Sequence, residues 1–176
     1  MEDVRRALDA ATRWLRAPPE ERAAVRRYQS LAGSGERLNA LLYVGTPLDG
    51  VLYDVAMRLD ALLERASLPV DVVAWRGVGD IDEVVPPLDG EVLARAAFLS
   101  ATLDEGIARR DFAVGPRPAL LRLALHRGVP ALWVPPVGRR DLAYEQELLL
   151  PRATPVRYGR RTLDGDVTIV WCEVMT

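Results

Sequence analysis

The sequence has no lysine, one cysteine and one histidine among its 176 residues. A single Cys172 and a single His126 exclude an internal disulfide, a zinc site built from cysteine and histidine, and any mechanism that needs two histidines. All 23 basic residues are therefore arginine, against 25 acidic residues. Coding bias in a GC-rich genome explains the missing lysines most simply, and avoidance of lysine modification is the alternative.

Long apolar runs are also missing. The sequence has no run of about 18 apolar residues, the length that predicts a membrane span. The first six residues lack the apolar core of a secretory signal, so we expect export, if any, to use another route. A composition of 49% hydrophobic and 27% charged residues is typical of a globular protein. We expect residues 1–176 to form a single domain that does not enter a membrane.

Helical periodicity dominates the first third of the chain. Apolar residues recur at positions three and four apart, and proline or glycine interrupts the pattern. Pro19, followed by two acids, suits the first turn of a helix, and Ser34 suits the cap of the next one. The pattern predicts four helices, over 3–16, from 19 to about 32, a short one through 38–42, and from about 50 to 66.

After Pro69 the pattern is mostly extended. Alternating and β-branched runs predict strands, and Asp164-Gly165 predicts a hairpin between the last two. The predicted strands cover 70–78, 96–101, 119–125, 131–134, 145–150, 154–161 and 166–174, with short helices at 89–95 and 104–110. Because helices come first and strands follow, we predict an α+β fold, with a helical part over about 1–66 and a β core over about 69–176.

Two carboxylates stand two residues apart before an apolar run. On the predicted strand 145–150, Glu145 and Glu147 would share one face, roughly 6–7 Å apart. A rigid pair of acids suits chemistry at a sugar carbon, where a cationic transition state needs stabilisation. The alternative is a solvated, charged strand end, and this segment alone leaves both interpretations open.

Positive charge is concentrated in the second half of the chain. Between Arg109 and Arg161 there are eleven arginines (109, 110, 117, 122, 127, 139, 140, 152, 157, 160, 161) and four acids (111, 141, 145, 147). Such a region could hold an anionic, phosphate-bearing ligand beside the acidic pair. A solvated basic face is the alternative for most of these arginines.

Three short motifs follow one another in a recognisable order. They are Trp75-Arg76-Gly77 on a predicted strand, Phe98-Leu99-Ser100-Ala101-Thr102 on a second, and Glu145-Gln146-Glu147-Leu-Leu-Leu-Pro-Arg on a third. Together they resemble the arginine-serine-glutamate class of mono-ADP-ribosyltransferases, which includes clostridial binary toxins and many bacterial effector domains. The resemblance covers nearly the whole chain, and it implies the ADP-ribosyltransferase fold, in which N-terminal helices precede a two-sheet β core.

The resemblance also implies a reaction and roles for the motif residues. NAD would be the substrate, ADP-ribose would pass to an arginine of a target protein, and nicotinamide would leave. Glu147 would stabilise the cationic ribose and bond its 2′-hydroxyl, while Glu145 would orient the acceptor and take its proton. Ser100 would fix the rotamer of Glu147; with no histidine nearby in the sequence, a nucleophilic serine is not supported.

Further residues correspond to the NAD-binding positions of the class. Arg76 would bind a phosphate of NAD, and Gly77 would let the nicotinamide amide approach the backbone. Phe112 would stack on nicotinamide, Arg117 would be the second phosphate ligand, and Asn39 resembles the helix asparagine of the class. The segment 137–144 takes the place of the target-recognition loop, with Leu142 or Tyr144 against the target.

The sequence departs from the class at a few positions. Ala101 and Thr102 replace the threonine and second serine of the usual motif, Ala153 stands where glycine is common, and Gly35 stands where a tyrosine is usual, four residues before Asn39. None of these changes removes Arg76, the first serine or the last glutamate.

The sequence is compatible with several other functions. Within enzymes, the acceptor could be a nucleic-acid base or water, the latter giving an NAD glycohydrolase; the other class is a non-catalytic binding module of the same fold. We expect no metal, and we interpret the acidic turn at Asp80, Asp82 and Glu83 as solvated rather than as a metal site. By analogy with the class, we expect a protein secreted or delivered into a target cell, acting in the cytosol, with an immunity protein as a possible partner.

Overall fold

The computed structural model of the chain describes residues 1–30, 34–84, 86 and 89–175. Helices dominate as far as residue 63 and strands dominate from residue 72, as the sequence predicts. The helices are α1 (Glu2–Trp14), α2 (Pro19–Tyr28), α3 (Ser34–Tyr43), α4 (Gly50–Leu63), α5 (Ile81–Val84) and α6 (Glu105–Ile107). The strands are β1 (Val72–Val78), β2 (Val92–Ala94), β3 (Leu99–Thr102), β4 (Ala119–Leu125), β5 (Leu132–Trp133), β6 (Glu147–Leu150), β7 (Pro155–Asp164) and β8 (Val167–Val174).

Local sequence explains where the helices begin. Proline occupies the first position of α2 and two acids follow it, as predicted. At the start of α4 the Asp49 carboxylate accepts hydrogen bonds from the backbone N–H groups of Val51 and Leu52. The α2 helix ends at Tyr28, earlier than the predicted end near residue 32. Residues 31–33 and the side chain of Ser34, the predicted cap, lie outside the described residues.

The strands form one eight-stranded mixed sheet in the order β2-β7-β8-β4-β1-β3-β6-β5. All neighbours are antiparallel except β4 and β8, which are parallel. The prediction of a two-sheet core is therefore wrong in this detail. A five-stranded half and a three-stranded half remain joined because β1 and β3 pair at one position, Trp75 with Thr102. Nothing in the strand pattern of the sequence signals that one pair.

The narrow joint between β1 and β3 creates a cleft. Beyond Trp75, β1 and β3 have no further paired positions among the described residues. Residues 76–79, on and after β1, and residues 99–101 of β3 line the cleft that opens there. Helices α2, α3 and α4 pack on one side of the three-stranded half, against Phe98, Leu132 and Leu149. The opposite side of the sheet packs in a second core that includes Leu8 of α1.

Turns at two glycines decide the outcome of two local predictions. The helix predicted over 89–95 is wrong, because Gly90 turns the chain with a φ of +89° and Val92–Ala94 then pairs with β7 as an edge strand. The hairpin predicted at Asp164-Gly165 is confirmed, with Gly165 at φ +60° between β7 and β8. Within residues 1–30, 34–84 and 89–175, no helix combines the length and apolar character required to cross a bilayer.

Candidate active site

Ser100 and Glu147 meet on adjacent antiparallel strands. Thr102 of β3 pairs with Glu147 of β6, so Ser100, two residues from Thr102, projects from the same face as Glu147 and is its diagonal neighbour. The Ser100 hydroxyl donates to Glu147 Oε1 over 2.6 Å. The serine thus fixes one oxygen of a carboxylate that is only 8% exposed.

The second oxygen of Glu147 is held from the helical part. Gln29, which follows α2, donates from Nε2 to Glu147 Oε2 over 2.8 Å. Burial raises the pKa of Glu147, whereas the hydrogen bonds from Ser100 and Gln29 and the charge of Arg76 act in the opposite direction. The carboxylate is therefore poorly solvated but bonded at both oxygens. Gln29 belongs to no motif, and no sequence signal would have found it.

Arg76 lies on β1, on the opposite side of the cleft from β3 and β6. Its Nη1 donates to the backbone carbonyl of Ser100 over 2.8 Å, which supplies the polar partner that an arginine on an inward strand face needs. Burial lowers the pKa of this guanidinium. The same contact ties β1 to β3 where their backbone pairing has ended.

Gly77 lies against the turn that follows α6. That turn is a π-helix over Ala108–Phe112, and a Cβ at Gly77 would come within 3.0 Å of backbone atoms of Ala108, Phe112 and Ala113. Glycine is therefore required here by the packing of two backbone segments. The predicted role, close approach of nicotinamide to the backbone, stays a prediction beside this structural reason.

Glu145 does not share a strand with Glu147. It ends a 3-10 helix over Arg140–Glu145, and Gln146 then takes a left-handed conformation at φ +50° before β6 begins at Glu147. The predicted side-by-side placement on one strand face is therefore wrong, because the strand starts two residues later. Both carboxylates nevertheless line the same cleft. Burial, and then the nearby charge of Glu147, raise the pKa of Glu145.

Asn39 serves as a bridge inside the cleft wall. Its Nδ2 donates to the Tyr28 hydroxyl over 2.9 Å, and its Oδ1 accepts from the backbone N–H of Phe98 over 3.0 Å. Burial, with the charge of Glu147, raises the pKa of Tyr28 to about 12. At Gly35, where the class has tyrosine, a Cβ would collide with the Tyr28 backbone, so an aromatic side chain does not fit.

Phe112 and Arg117, both predicted to bind NAD, lie in different surroundings. Phe112 ends the π-helix, is 46% exposed and lines the cleft. Arg117 is not among the cleft-lining residues, and its guanidinium pairs with Asp80 over 2.8 Å and with Asp82. The pairing with Arg117 lowers the pKa of Asp80. In the described part of the chain, no cluster of histidine, cysteine, aspartate and glutamate is arranged to hold a metal ion.

Arg95 is a cleft residue that the sequence did not point to. It lies directly after β2, lines the cleft, and donates from Nη1 to the Tyr43 hydroxyl over 2.7 Å. Its guanidinium also stacks 5.3 Å from the centroid of the Tyr43 ring. The positive charge of Arg95 is close enough to lower the pKa of Arg76. Arg76 and Arg95 are the arginines among the described lining residues.

A sequence model of the family described as ADP-ribosyltransferase exoenzyme matches residues 7–174. That match spans nearly the whole chain and includes Arg76, Ser100 and Glu147. The chain belongs to the ADP-ribosyltransferase exoenzyme family. The resemblance to the arginine-serine-glutamate class of ADP-ribosyltransferases is thereby confirmed. A search of curated protein sequences found no match.

Solved structures of ADP-ribosyltransferases share the fold of this family member. Plx2a, an ADP-ribosyltransferase toxin from Paenibacillus larvae, is 18% identical with a TM-score of 0.81, over 99% of this chain and 96% of that one. C3stau2 from S. aureus, solved with NAD, is 16% identical with a TM-score of 0.80, over 100% and 96%. Exoenzyme S from Pseudomonas aeruginosa, solved with human 14-3-3 protein beta and carba-NAD, is 21% identical with a TM-score of 0.73, over 98% and 82%.

Proposed function

We propose that this ADP-ribosyltransferase uses NAD to modify an arginine of a target protein and releases nicotinamide. The observation that carries the proposal is the pair of carboxylates in one cleft, of which Glu147 is fixed at both oxygens and Glu145 is not. A cleft of about 1160 Å³ has room for a dinucleotide together with an acceptor side chain. The similar folds of C3stau2 and Exoenzyme S were solved with NAD and carba-NAD, which supports the choice of donor.

Glu147 would act on the donor. When the bond between ribose C1′ and the nicotinamide nitrogen breaks, its electron pair leaves with nicotinamide and positive charge develops on the ribose. A buried carboxylate beside that carbon stabilises the charge without having to reorganise. The hydrogen bonds from Ser100 and Gln29 hold the carboxylate in place before the reaction starts.

Glu145 would act on the acceptor. A carboxylate pairs well with a guanidinium and orients it. A guanidinium nitrogen would attack ribose C1′, form the new C–N bond and lose a proton to Glu145. The raised pKa of Glu145, caused by burial and by Glu147, makes it a better proton acceptor than a solvated glutamate.

The two phosphates of NAD would lie against Arg76 and Arg95. These two guanidiniums line the same cleft, whereas Arg117 does not line it and pairs with two carboxylates that do, Asp80 and Asp82. We expect Arg95→Ala to weaken NAD binding about tenfold or more, because a charge-assisted contact to a phosphate contributes roughly 1.5–3 kcal/mol. Titration calorimetry or ligand fluorescence with NAD would measure the change.

The matched control for that prediction is Arg117→Ala. It also removes an arginine side chain, but from a position that does not line the cleft. We therefore expect the affinity for NAD to stay within about twofold. Arg95→Lys should restore part of the loss, since it keeps the charge without the bidentate geometry. A large loss in Arg117→Ala with none in Arg95→Ala would return the phosphate site to the position that the sequence predicts.

The identity of the acceptor is tested chemically. With NAD labelled in the adenylate part and a lysate of candidate target cells, we expect label on protein that neutral hydroxylamine releases, as for an arginine adduct. Free arginine or agmatine added in excess should compete for the label. Label on DNA or RNA, or free ADP-ribose and nicotinamide alone, would contradict the arginine acceptor, and a complete lack of NAD turnover would favour a binding module.

The charge of the basic region does not favour a nucleic-acid acceptor. Six of the eleven arginines between 109 and 161 form ion pairs, namely 109, 117, 139, 152, 157 and 161. The partners include Asp60, Asp80 and Glu173, which the count along the sequence segment left out. The fold thus pairs just over half of these arginines with carboxylates.

The setting of the reaction follows from the family. We propose that residues 1–176 act as one catalytic domain that is secreted or delivered into a target cell and works in its cytosol, since the family is one of exoenzymes. An immunity protein that neutralises it stays a prediction by analogy.

A further inference from the structure

Both ends of the Gln29 side-chain amide are engaged at the site. Nε2 donates to Glu147 Oε2 over 2.8 Å, and Oε1 accepts the backbone N–H of Arg139 over 2.8 Å. A carboxylate needs a donor and a backbone N–H needs an acceptor, so only one orientation of the amide satisfies both partners. One side chain therefore contacts two points that are eight residues apart in the sequence.

The residue before Arg139 shows how closely this side chain is packed. A Cβ at Gly138 would come within 3.0 Å of Gln29 Oε1 and of a methyl group of Val134, so a larger residue there would have to displace one of these side chains. On the same face of α2, three residues before Gln29, Arg26 donates from Nε to the Gly138 carbonyl over 3.4 Å. The C-terminal end of α2 thus holds the backbone at 138–139.

The segment between the two contact points carries Glu145. Arg139 directly precedes the 3-10 helix Arg140–Glu145, Gln146 turns the chain in a left-handed conformation, and Glu147 opens β6. Gln29 fixes the N–H at the start of this segment and the carboxylate at its end. The position of Glu145 relative to Glu147 depends on where both ends are held.

We propose that Gln29 is a positioning residue that sets the ionisation and rotamer of Glu147 and, through Arg139, the placement of the segment that carries Glu145. The inference rests on the proposed function for the roles of the two glutamates. The contacts themselves, and the tests of them below, do not depend on the identity of the acceptor.

The effect of Gln29 on the ionisation of Glu147 can be measured as a change in the pKa of that carboxylate. The groups that face it are Ser100 from β3, Gln29 after α2, Arg76 from β1, Tyr28 from α2 and Glu145 from the 3-10 helix. A donor to the carboxylate favours its ionised form. Loss of the Gln29 donor should therefore raise the pKa of Glu147, and a cation in its place should lower it.

Three substitutions separate the two contacts. Gln29→Glu keeps an acceptor for the Arg139 N–H but places a second carboxylate beside Glu147. Gln29→Lys keeps a donor, now charged, for Glu147 but offers no acceptor to Arg139. Gln29→Met keeps the length and removes both contacts. Arg27→Met, an exposed position on the same helix, is the control and should leave every readout at the wild-type value.

Two measurements on the protein without NAD give the test. Carbon-13 NMR titration of the glutamate carboxylates, with Glu147 assigned by Glu147→Gln, should show the Glu147 pKa about half a unit or more higher in Gln29→Glu and Gln29→Met, and lower in Gln29→Lys. Hydrogen exchange of the Arg139 amide should accelerate about tenfold or more in Gln29→Met and Gln29→Lys, and stay near wild type in Gln29→Glu.

Gln29→Glu and Gln29→Lys are expected to shift the pKa of Glu147 in opposite directions, which a merely structural role for Gln29 would not produce. The proposal is overturned if Gln29→Glu and Gln29→Lys move the Glu147 pKa in the same direction, or if the Arg139 amide exchanges at the wild-type rate in Gln29→Lys. If Gln29→Met does not fold, the other two variants carry the test. Failure to label arginine would remove the proposed acceptor while leaving both measurements valid. In the active enzyme, the ratio of transfer to NAD hydrolysis should fall in Gln29→Lys and not in Gln29→Glu.

Discussion

Replacing Glu147 with glutamine is expected to lower both NAD hydrolysis and ADP-ribosyl transfer by a factor of about 10²–10³ or more. In the proposed mechanism both reactions pass through the same cationic ribose, and the substitution removes the negative charge that would stabilise it. The hydrogen-bond network can survive, because the new amide oxygen can accept from Gln29 while the Ser100 hydroxyl turns to accept from the new NH₂ group. The loss is then electrostatic rather than structural.

The measurement is nicotinamide release and protein labelling over a series of NAD concentrations, with a direct binding assay for NAD. Affinity for NAD should change little, since Arg76 and Arg95 are untouched, so the effect should appear in kcat. Glu64→Gln, the same substitution at an exposed position after α4, is the control and should behave as wild type. A Glu147→Gln enzyme that keeps a tenth of the wild-type kcat would contradict the role assigned to this residue.

Replacing Glu145 with glutamine is expected to separate the two reactions. Hydrolysis needs no acceptor other than water, so nicotinamide release should stay within about threefold of wild type. Transfer to arginine should fall about 10²-fold or more, the usual contribution of a positioned base, because the variant neither pairs with the guanidinium nor takes its proton. Parallel assays of nicotinamide release and of label on protein or agmatine would show the split.

The same Glu64→Gln variant controls for the substitution chemistry. Equal losses of hydrolysis and transfer in Glu145→Gln would mean that this glutamate acts on the donor as well, and the division of roles would be wrong. Unchanged transfer would shift the search for the acceptor base to other groups near the cleft, such as Tyr144 and Asp111, whose charges or hydrogen bonds already affect Glu145 or its neighbours.

Much of the fold could be predicted because its signals are local. Apolar spacing, prolines and the acids after them located the four long helices to within a few residues, and alternation located most strands. The predicted alternation of side chains between the two faces of the sheet is correct from Glu147 onward, with Leu148 and Leu150 in one core and Leu149 in the other. The strand prediction is wrong at Glu145 and Gln146, because a 3-10 helix and a left-handed residue leave no periodic pattern in the sequence.

The candidate site was only partly predictable for a related reason. Arg76, Ser100 and Glu147 stand in short motifs, whereas Tyr28 and Gln29 at the end of α2, and Arg95 after β2, reach the cleft without any motif. Arg117 stays a predicted phosphate ligand, but its carboxylate partners lie more than thirty residues away, and counting charges along the chain could not reveal these ion pairs. Contacts across the chain decide which charged residue is available to a ligand.

The single backbone pair between β1 and β3 has a mechanical consequence for how mutations at Arg76 should be interpreted. Because β1 and β3 share only one paired position in the described part of the chain, the hydrogen bond from Arg76 to the Ser100 carbonyl is an important further link between them. Ser100 in turn holds Glu147. An enzyme without Arg76 would lose the proposed phosphate ligand and also the hydrogen bond that links β1 to the backbone of Ser100. The defect should therefore reach kcat as well as the affinity for NAD, even though Arg76 and Glu147 lie on different strands of the cleft wall.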